Sequence, residues 1–284
     1  MIASNTSVIG IDLGGTNIRA GLLEGDALTN ILSESINAGG NKQEVLEQVF
    51  SITDLLFNKN VTGIGIGVPG LIDAVQQLVF DVINIPSWNE VPLQQWMQDR
   101  YQVPVFINND ANCFALGEYY FGKGKAKESM VGLSIGTGLG AGIIINNKLH
   151  AGHNYGAGEF GMVDYLEHNY EYYASGQFFK NVYGVSGNKV FELAKNGDSA
   201  AKKMFEEFGY HLGNAIKMIL YTYDPSCIIL GGSVSQSFSF FREAMWLQIK
   251  TFAYQRSLYK LTIEVSELEH CGVLGAGALA NISV

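Results

Sequence analysis

Short apolar runs broken by glycine bends alternate along the chain with stretches whose apolar residues recur every three or four positions. Val8 to Asp12 reads as a buried strand, "GGT" (14–16) as a bend, and Ile18 to Leu23 as the returning strand. Val45, Leu46, Val49, Phe50, Ile52, Leu55 and Leu56 fall at helical spacing and predict a helix over 42–57. "VTGIGIG" (61–67) and "VPVFIN" (103–108) read as further strands, the first ending at Pro69-Gly70. Asn109-Asp110 opens a helix through Ala115 to Phe121. A long apolar stripe of Met204, Phe205, Phe208, Leu212, Ala215, Ile216, Ile219 and Leu220 predicts another helix, stopped by Asp224-Pro225 before the strand "CIILGG" (227–232). Strand and helix alternate throughout, which predicts an α/β layer fold.

One unit occurs twice. "VGLSIGTGLGAGIII" (131–145) is again strand, glycine-threonine bend and strand. Placing Gly136 on Gly14 gives an offset of 122 residues, with Leu133 on Ile11 and Ile143 on Gly21. Two copies at half-chain spacing suggest duplicated halves. No linker rich in Pro or Ser separates them, so a cleft between packed halves is expected, and clefts of that kind hold ligands. Each bend alone reads either as a plain hairpin turn or as a cradle of free N–H groups for an anion such as phosphate. The lysine-bearing phosphate loop G-x-x-x-x-G-K-[ST] does not occur.

Composition narrows the picture. The charge of −9 opposes a nucleic-acid partner, which needs a basic face. Glycine supplies 34 of 284 residues and clusters in a few stretches, marking special loops. Cys113, Cys227 and Cys271 lie far apart, a spacing that suits neither a disulfide framework nor a zinc knuckle and points to reduced thiols in the cytoplasm. "MIASNTSVIG" lacks the features of a signal peptide, and the longest weakly polar run, 131–145, is too short to span a bilayer, so no membrane partner is expected.

Six segments in order resemble the motifs of the ROK family of sugar kinases (repressor, open reading frame, kinase): "IDLGGTNIRAG", "GVPGLID", "NNDANCFALGE", "SIGTGLGAG", "GHNYGAGEFG" and "IILGG". The match runs from residue 8 to about 279. The resemblance implies an actin-like (ribonuclease H-like) α/β fold of two domains, each a five-stranded mixed sheet flanked by helices, with an interdomain cleft. The expected halves are 1–112, carrying sugar and phosphate contacts, and 113–271, carrying nucleotide binding and dimerisation, with a C-terminal helix 272–284 packing back on the first. It also implies ATP-dependent phosphorylation of a hexose hydroxyl, the 6-hydroxyl of glucose first among the candidates, with Mg²⁺ and a homodimer.

Residue by residue, Asp110 resembles the family's catalytic base; by position alone it reads as a helix N-cap. A carboxylate within hydrogen-bond reach of a sugar hydroxyl accepts its proton as the oxygen attacks phosphorus. Asn109, Glu159 of "GAGEFG" and Glu171 of "EYYASG" resemble sugar ligands, with Gly70 and Asn84 in loops that close the pocket. On their own, Asn109 reads as a turn residue and Glu159 as a solvated charge. Asp12 resembles the residue that holds Mg²⁺ through water, though a turn-forming role fits it equally. Gly14, Gly15 and Thr16 resemble the first phosphate loop, Gly136, Thr137 and Gly138 the second, and Gly231 and Gly232 the turn beside the adenosine; close packing is the alternative for all these glycines.

The chain departs from the family at one place. Most ROK kinases hold a structural zinc with the His of G-E-x-G-H and three downstream cysteines. Here Met162 takes the His position and "VDYLEHNY" (163–170) has no cysteine, so no zinc is expected. His150 and His153 are too few for a closed site. The competing readings are a kinase for an N-acetylhexosamine or another hexose, a sugar-responsive regulator, and a non-catalytic sugar-binding protein. The family's regulators carry a DNA-binding helix-turn-helix before the first phosphate loop; with seven residues before Val8 and an acidic net charge, the regulator is the weaker expectation.

Overall fold

A computed structural model describes residues 6–282 apart from 74, 81 and 83. The first half builds β1 (Ser7–Leu13), β2 (Asn17–Glu24), β3 (Ala27–Ser35), α1 (Lys42–Asp54), β4 (Val61–Val68), α2 (Leu93–Tyr101) and β5 (Val105–Asn109). After α3 (Asp110–Tyr120) come β6 (Met130–Ile135), β7 (Leu139–Ile145), β8 (Lys148–Leu149), α4 (Ser199–Tyr223), β9 (Cys227–Gly231), α5 (Phe238–Ile249), β10 (Thr262–Val265) and α6 (Cys271–Ile282). Two five-stranded sheets result, ordered β3-β2-β1-β4-β5 and β8-β7-β6-β9-β10. In both, the first three strands are antiparallel neighbours and the remaining pairs are parallel. The duplication is therefore one of topology.

The repeat is not uniform in register. Gly10 pairs with Gly21 in the first sheet and Gly132 with Gly142 in the second. The offset is 122 residues before the bend and 121 after it, because the second bend is one residue tighter: Leu13 pairs with Ile18, but Ile135 pairs with Leu139. Gly21 thus corresponds to Gly142, not to Ile143.

Those glycine pairs let helices lie directly on the sheets. A Cβ on Gly10 would stand 2.1 Å from the Val273 carbonyl oxygen, and one on Gly65 would stand 1.8 Å from that of Ala276, so α6 rests on β1 and β4. A Cβ on Gly142 would meet Ala111 O and Ala115 Cβ at 2.5 Å, so α3 rests on the second sheet. The two helices touch each other backbone to backbone, Gly275 beside Cys113 and Gly117 beside Cys271. Sheet, α6, α3 and sheet form the central layers, and α3 runs unbroken through residues 112–113. The opposite faces are covered too: Ile9, Ile11 and Leu13 join α1 in one core, and Val131, Leu133 and Ile135 join α4 and α5 in another. Burial on both faces explains why these strands read as continuous apolar runs.

Local signals place the element ends. Asn41 and Glu44 form a reciprocal capping box at the start of α1. That helix stops at Asp54, short of the expected 57, and Leu55 is left 76% exposed beyond the apolar stripe. Pro104 has no N–H to pair, so β5 begins at Val105. Asp224 takes the left-handed conformation at φ 44° and ends α4.

Candidate active site

The candidate residues gather at the carboxyl ends of β1, β4, β5, β6 and β9, the side on which open α/β sheets present ligand crevices. Asp12 lies one residue before the end of β1, opposite Arg19 on β2, whose guanidinium stands 3.9 Å from its carboxylate. The first bend is closed by Gly14 N–H donating to Asn17 O at 2.9 Å. Gly15 makes room for Asn84: a Cβ there would meet Asn84 Cβ at 2.5 Å. The Asn84 loop is pinned beneath by Ile85 and Trp88, both fully buried. The second bend is closed by Gly136 N–H donating to Gly138 O at 3.0 Å, while Gly136 O accepts from Gly176 N–H. Thr16 and Thr137 are exposed at the two corners.

Asp110 is the first residue of α3, where β5 meets the crevice. Gly67 on β4 admits it, since a Cβ there would lie 3.6 Å from Asp110 Cα and 3.1 Å from Cys113 Sγ. Its Oδ1 accepts the Ala111 N–H at 2.8 Å. Burial, then the nearby Asp12 and Glu159, push its carboxyl up to about 7, against the pull of that N–H. Asp12 is also raised by burial, with Arg19 and His270 pulling the other way. Glu159 is exposed at the surface, yet partial burial and the nearby Glu171 charge still raise it. Glu171 in turn holds the second bend: Oε2 accepts Leu139 N–H at 3.0 Å and Oε1 accepts from the Gln177 amide at 3.3 Å. Asp12, Asp110, Glu159 and Glu171 therefore form a succession of neighbouring carboxyls leading from the first bend to the second.

Several of these residues also make contacts within the protein. Asn109 caps α3, its Oδ1 accepting from Ala111 N–H and Asn112 N–H, and its amide donates to Gly70 O at 3.2 Å. One amide N–H remains for a ligand. Its neighbour Asn108 accepts from Asn109 N–H and from the Asn112 amide, a buried network that fixes this corner. Gly231 and Gly232 are closely packed: the Phe114 ring fills the space where a Gly231 side chain would go, and Gly232 at φ 80° lies on the Ile135 carbonyl.

A profile of the ROK family matches residues 8–282. The chain belongs to the ROK family. It is 30% identical over 323 aligned positions to the xylose repressor of Caldicellulosiruptor bescii, covering 96% of this chain and 77% of the repressor. It is 29% identical to the glucokinase of Streptomyces coelicolor, covering 80% of this chain and 82% of that enzyme. The solved structure of a ROK family glucokinase from Streptomyces griseus, in complex with glucose and AMPPNP, superposes with a TM-score of 0.82 at 26% identity over 97% of this chain and 99% of that one. The fold of this ROK-family chain is accordingly the actin-like α/β arrangement.

Motif reading of the ROK-family chain missed Gly272, Arg19 and Gln177. A Cβ on Gly272, in the first turn of α6, would stand 2.9 to 3.2 Å from the Asp12 carboxylate atoms, so this glycine keeps room for that side chain. The carboxylate then sits at a helix N-terminus, whose partial positive charge favours it. The signal for Gly272 was present only as one glycine among several in "HCGVLGAGALA". Gln177 carried no signal, because its partner Glu171 is itself identified only by motif.

Proposed function

We propose that this chain, a sugar kinase of the ROK family, transfers the γ-phosphoryl group of ATP to a hexose hydroxyl, the 6-hydroxyl of glucose being the first candidate. The observation that carries the reading is Asp110: a carboxyl at the mouth of β5, tuned to about 7 and aligned by Ala111 N–H, so that Oδ2 is available for a proton. In this reading the sugar oxygen attacks the γ-phosphorus as its proton passes to Asp110, and ADP leaves. The likeness to a glucokinase solved with glucose and AMPPNP supports both substrates.

The bends at Gly14, Gly15, Thr16 and at Gly136, Thr137, Gly138 would present N–H groups to the phosphates, with Gly231 and Gly232 beside the adenosine. Asp12 would hold Mg²⁺ through water. Its partly buried carboxylate suits that cation, which keeps most of its own waters, and the metal would supply charge neutralisation at the phosphates. Glu159, Glu171, the remaining Asn109 N–H, Asn84 and the Gly70 loop would engage sugar hydroxyls; Glu171 reaches the sugar only by sharing or giving up its bonds to the second bend. We place the division between the halves at α3, with α6 returning to the first sheet, and the family resemblance supports a homodimer. No helix among the described residues is long and apolar enough to cross a membrane. The three cysteines are buried free thiols, which supports placing the chain in the reducing cytoplasm.

A second reading, a sugar-responsive regulator, is favoured by the likeness to the xylose repressor. ADP release measured across hexoses and N-acetylhexosamines with ATP and Mg²⁺ separates the two. Turnover with one sugar class supports the kinase; sugar binding without ADP release supports the regulator.

The raised Asp110 sets an expected pH response. The base form is lost as pH falls through about 7, so kcat/KM for the sugar should drop about tenfold per pH unit below that point and level off above it. A profile flat from pH 5.5 to 8 would count against Asp110 as the base.

A further inference from the structure

Between Glu159 and Glu171 the chain makes a short 3₁₀ turn (Phe160–Met162) and a small hairpin (Asp164–Tyr165 paired with His168–Asn169). This is the segment in which the sequence departs from the family's zinc motif, and the residues present do not fit a zinc site. Met162 is half exposed, no cysteine lies in 163–170, and among the described residues no group of three or more His, Cys, Asp or Glu is arranged to hold a metal ion.

A different set of contacts occupies the region. The Tyr165 ring stacks on Tyr170 with centroids 4.3 Å apart and planes 12° from parallel, and meets Tyr173 edge-on. The Tyr165 hydroxyl lies 3.1 Å from His211 Nδ1 and accepts from the Asn214 amide at 3.1 Å, while Asn214 Oδ1 accepts from Gln248 at 2.6 Å. His211 and Asn214 are on α4 and Gln248 is on α5, so the hairpin is tied to two helices of the second core. His211 is buried among Tyr165, Tyr173 and Phe178, and burial pushes its imidazole toward the neutral form. A neutral ring that accepts the Tyr165 O–H at Nδ1 carries its proton on Nε2, which lies 3.8 Å from Glu207.

The ties extend to both carboxylates. Tyr170 N–H donates to Val163 O and closes the base of the hairpin. Asn169 caps the helix Tyr170–Ala174, which carries Glu171. Phe160, next to Glu159, packs edge-on against Tyr223 of α4.

We propose that Tyr165, gripped by His211 and Asn214, is the positioning residue that sets the separation of Glu159 and Glu171, with side-chain contacts and no metal holding the segment between them. The assignment of Glu159 and Glu171 to the sugar rests on the function proposed above; the tethering itself does not. Tyr165→Phe keeps the stack and loses both hydrogen bonds, whereas Tyr165→Ala loses everything.

The test uses the full chain and three readouts. Hydrogen exchange over residues 159–174 should quicken in Tyr165→Phe and further in Tyr165→Ala, whether or not a sugar substrate is known. Sugar KM should rise about three- to tenfold in Tyr165→Phe with kcat held within twofold, since the reacting groups are untouched. EDTA should leave the wild-type melting temperature unchanged. Unchanged exchange in Tyr165→Phe overturns the proposal, as does faster exchange with KM unmoved, a fall in kcat alone, or one zinc per purified chain. If no sugar is turned over, the exchange and chelator results still decide it.

Discussion

Asp110→Asn is expected to lower kcat by about 10²- to 10⁴-fold while sugar affinity stays within a few-fold. The amide keeps the shape of the carboxylate, and its oxygen still accepts the Ala111 N–H. What it loses is the ability to take a proton from the attacking hydroxyl. Single-turnover kinetics beside calorimetric sugar binding separate the two effects; turnover within tenfold of wild type would sink the assignment.

The same substitution should change stability in the opposite direction. The folded carboxyl titrates near 7 against an ordinary 3.8, so the folded state resists ionising it. Between those two values the unfolded state gives up the proton first, and stability is lost as pH rises. Asp110→Asn removes that loss. Its melting temperature should exceed that of the wild type at pH 7 to 8, and the gap should vanish near pH 3.5. A residue that costs stability and supports turnover is the ordinary sign of a functional carboxylate.

The second large effect lies away from the crevice, where α3 crosses α6. Gly275→Val should destabilise the protein by about 4 kcal/mol or more, a large part of the roughly 5–15 kcal/mol that folded domains possess. A Cβ on Gly275 would stand 1.7 Å from the Cys113 carbonyl oxygen and 2.7 Å from Gly117 N. Both neighbours are helix backbone and cannot move aside singly. Relief would require separating the helices, and α6 also rests on the first sheet while α3 rests on the second. Soluble yield and urea melting report the outcome. Gly39→Ala is the control, because Gly39 has nothing within 4 Å of the added atom. Equal midpoints for the two variants would mean the helices are not in this close contact.

The two predictions draw on different levels of information. The strands, the bends and the start of α3 are properties of short windows. Alternation of apolar runs with glycine, the asparagine before Asp110 and the Asp224-Pro225 stop act over a few residues, and they placed seven of the ten strands of the two five-stranded sheets together with α1, α3 and α4. The repeated bend was legible for the same reason. Its one-residue difference in register was not, because aligning the two glycine bends says nothing about which residues pair after the turn.

The sequence by itself determined that this is a duplicated α/β protein of the ROK pattern, with Asp110 at a strand end and a segment 163–170 without cysteine. Only the tertiary structure decided the company those residues keep. It set Asp110 beside Asp12 and Glu159, closed Gly231 with Phe114, opened Gly272 for Asp12, and brought Tyr165 to His211, 46 residues further along the chain. The physical reason is range. Backbone preferences and hydrophobic periodicity are settled by near neighbours, whereas carboxyl burial and hydrogen-bond partners depend on how two sheets and two crossing helices pack. That packing is fixed by contacts between residues more than a hundred positions apart, such as Gly117 with Cys271.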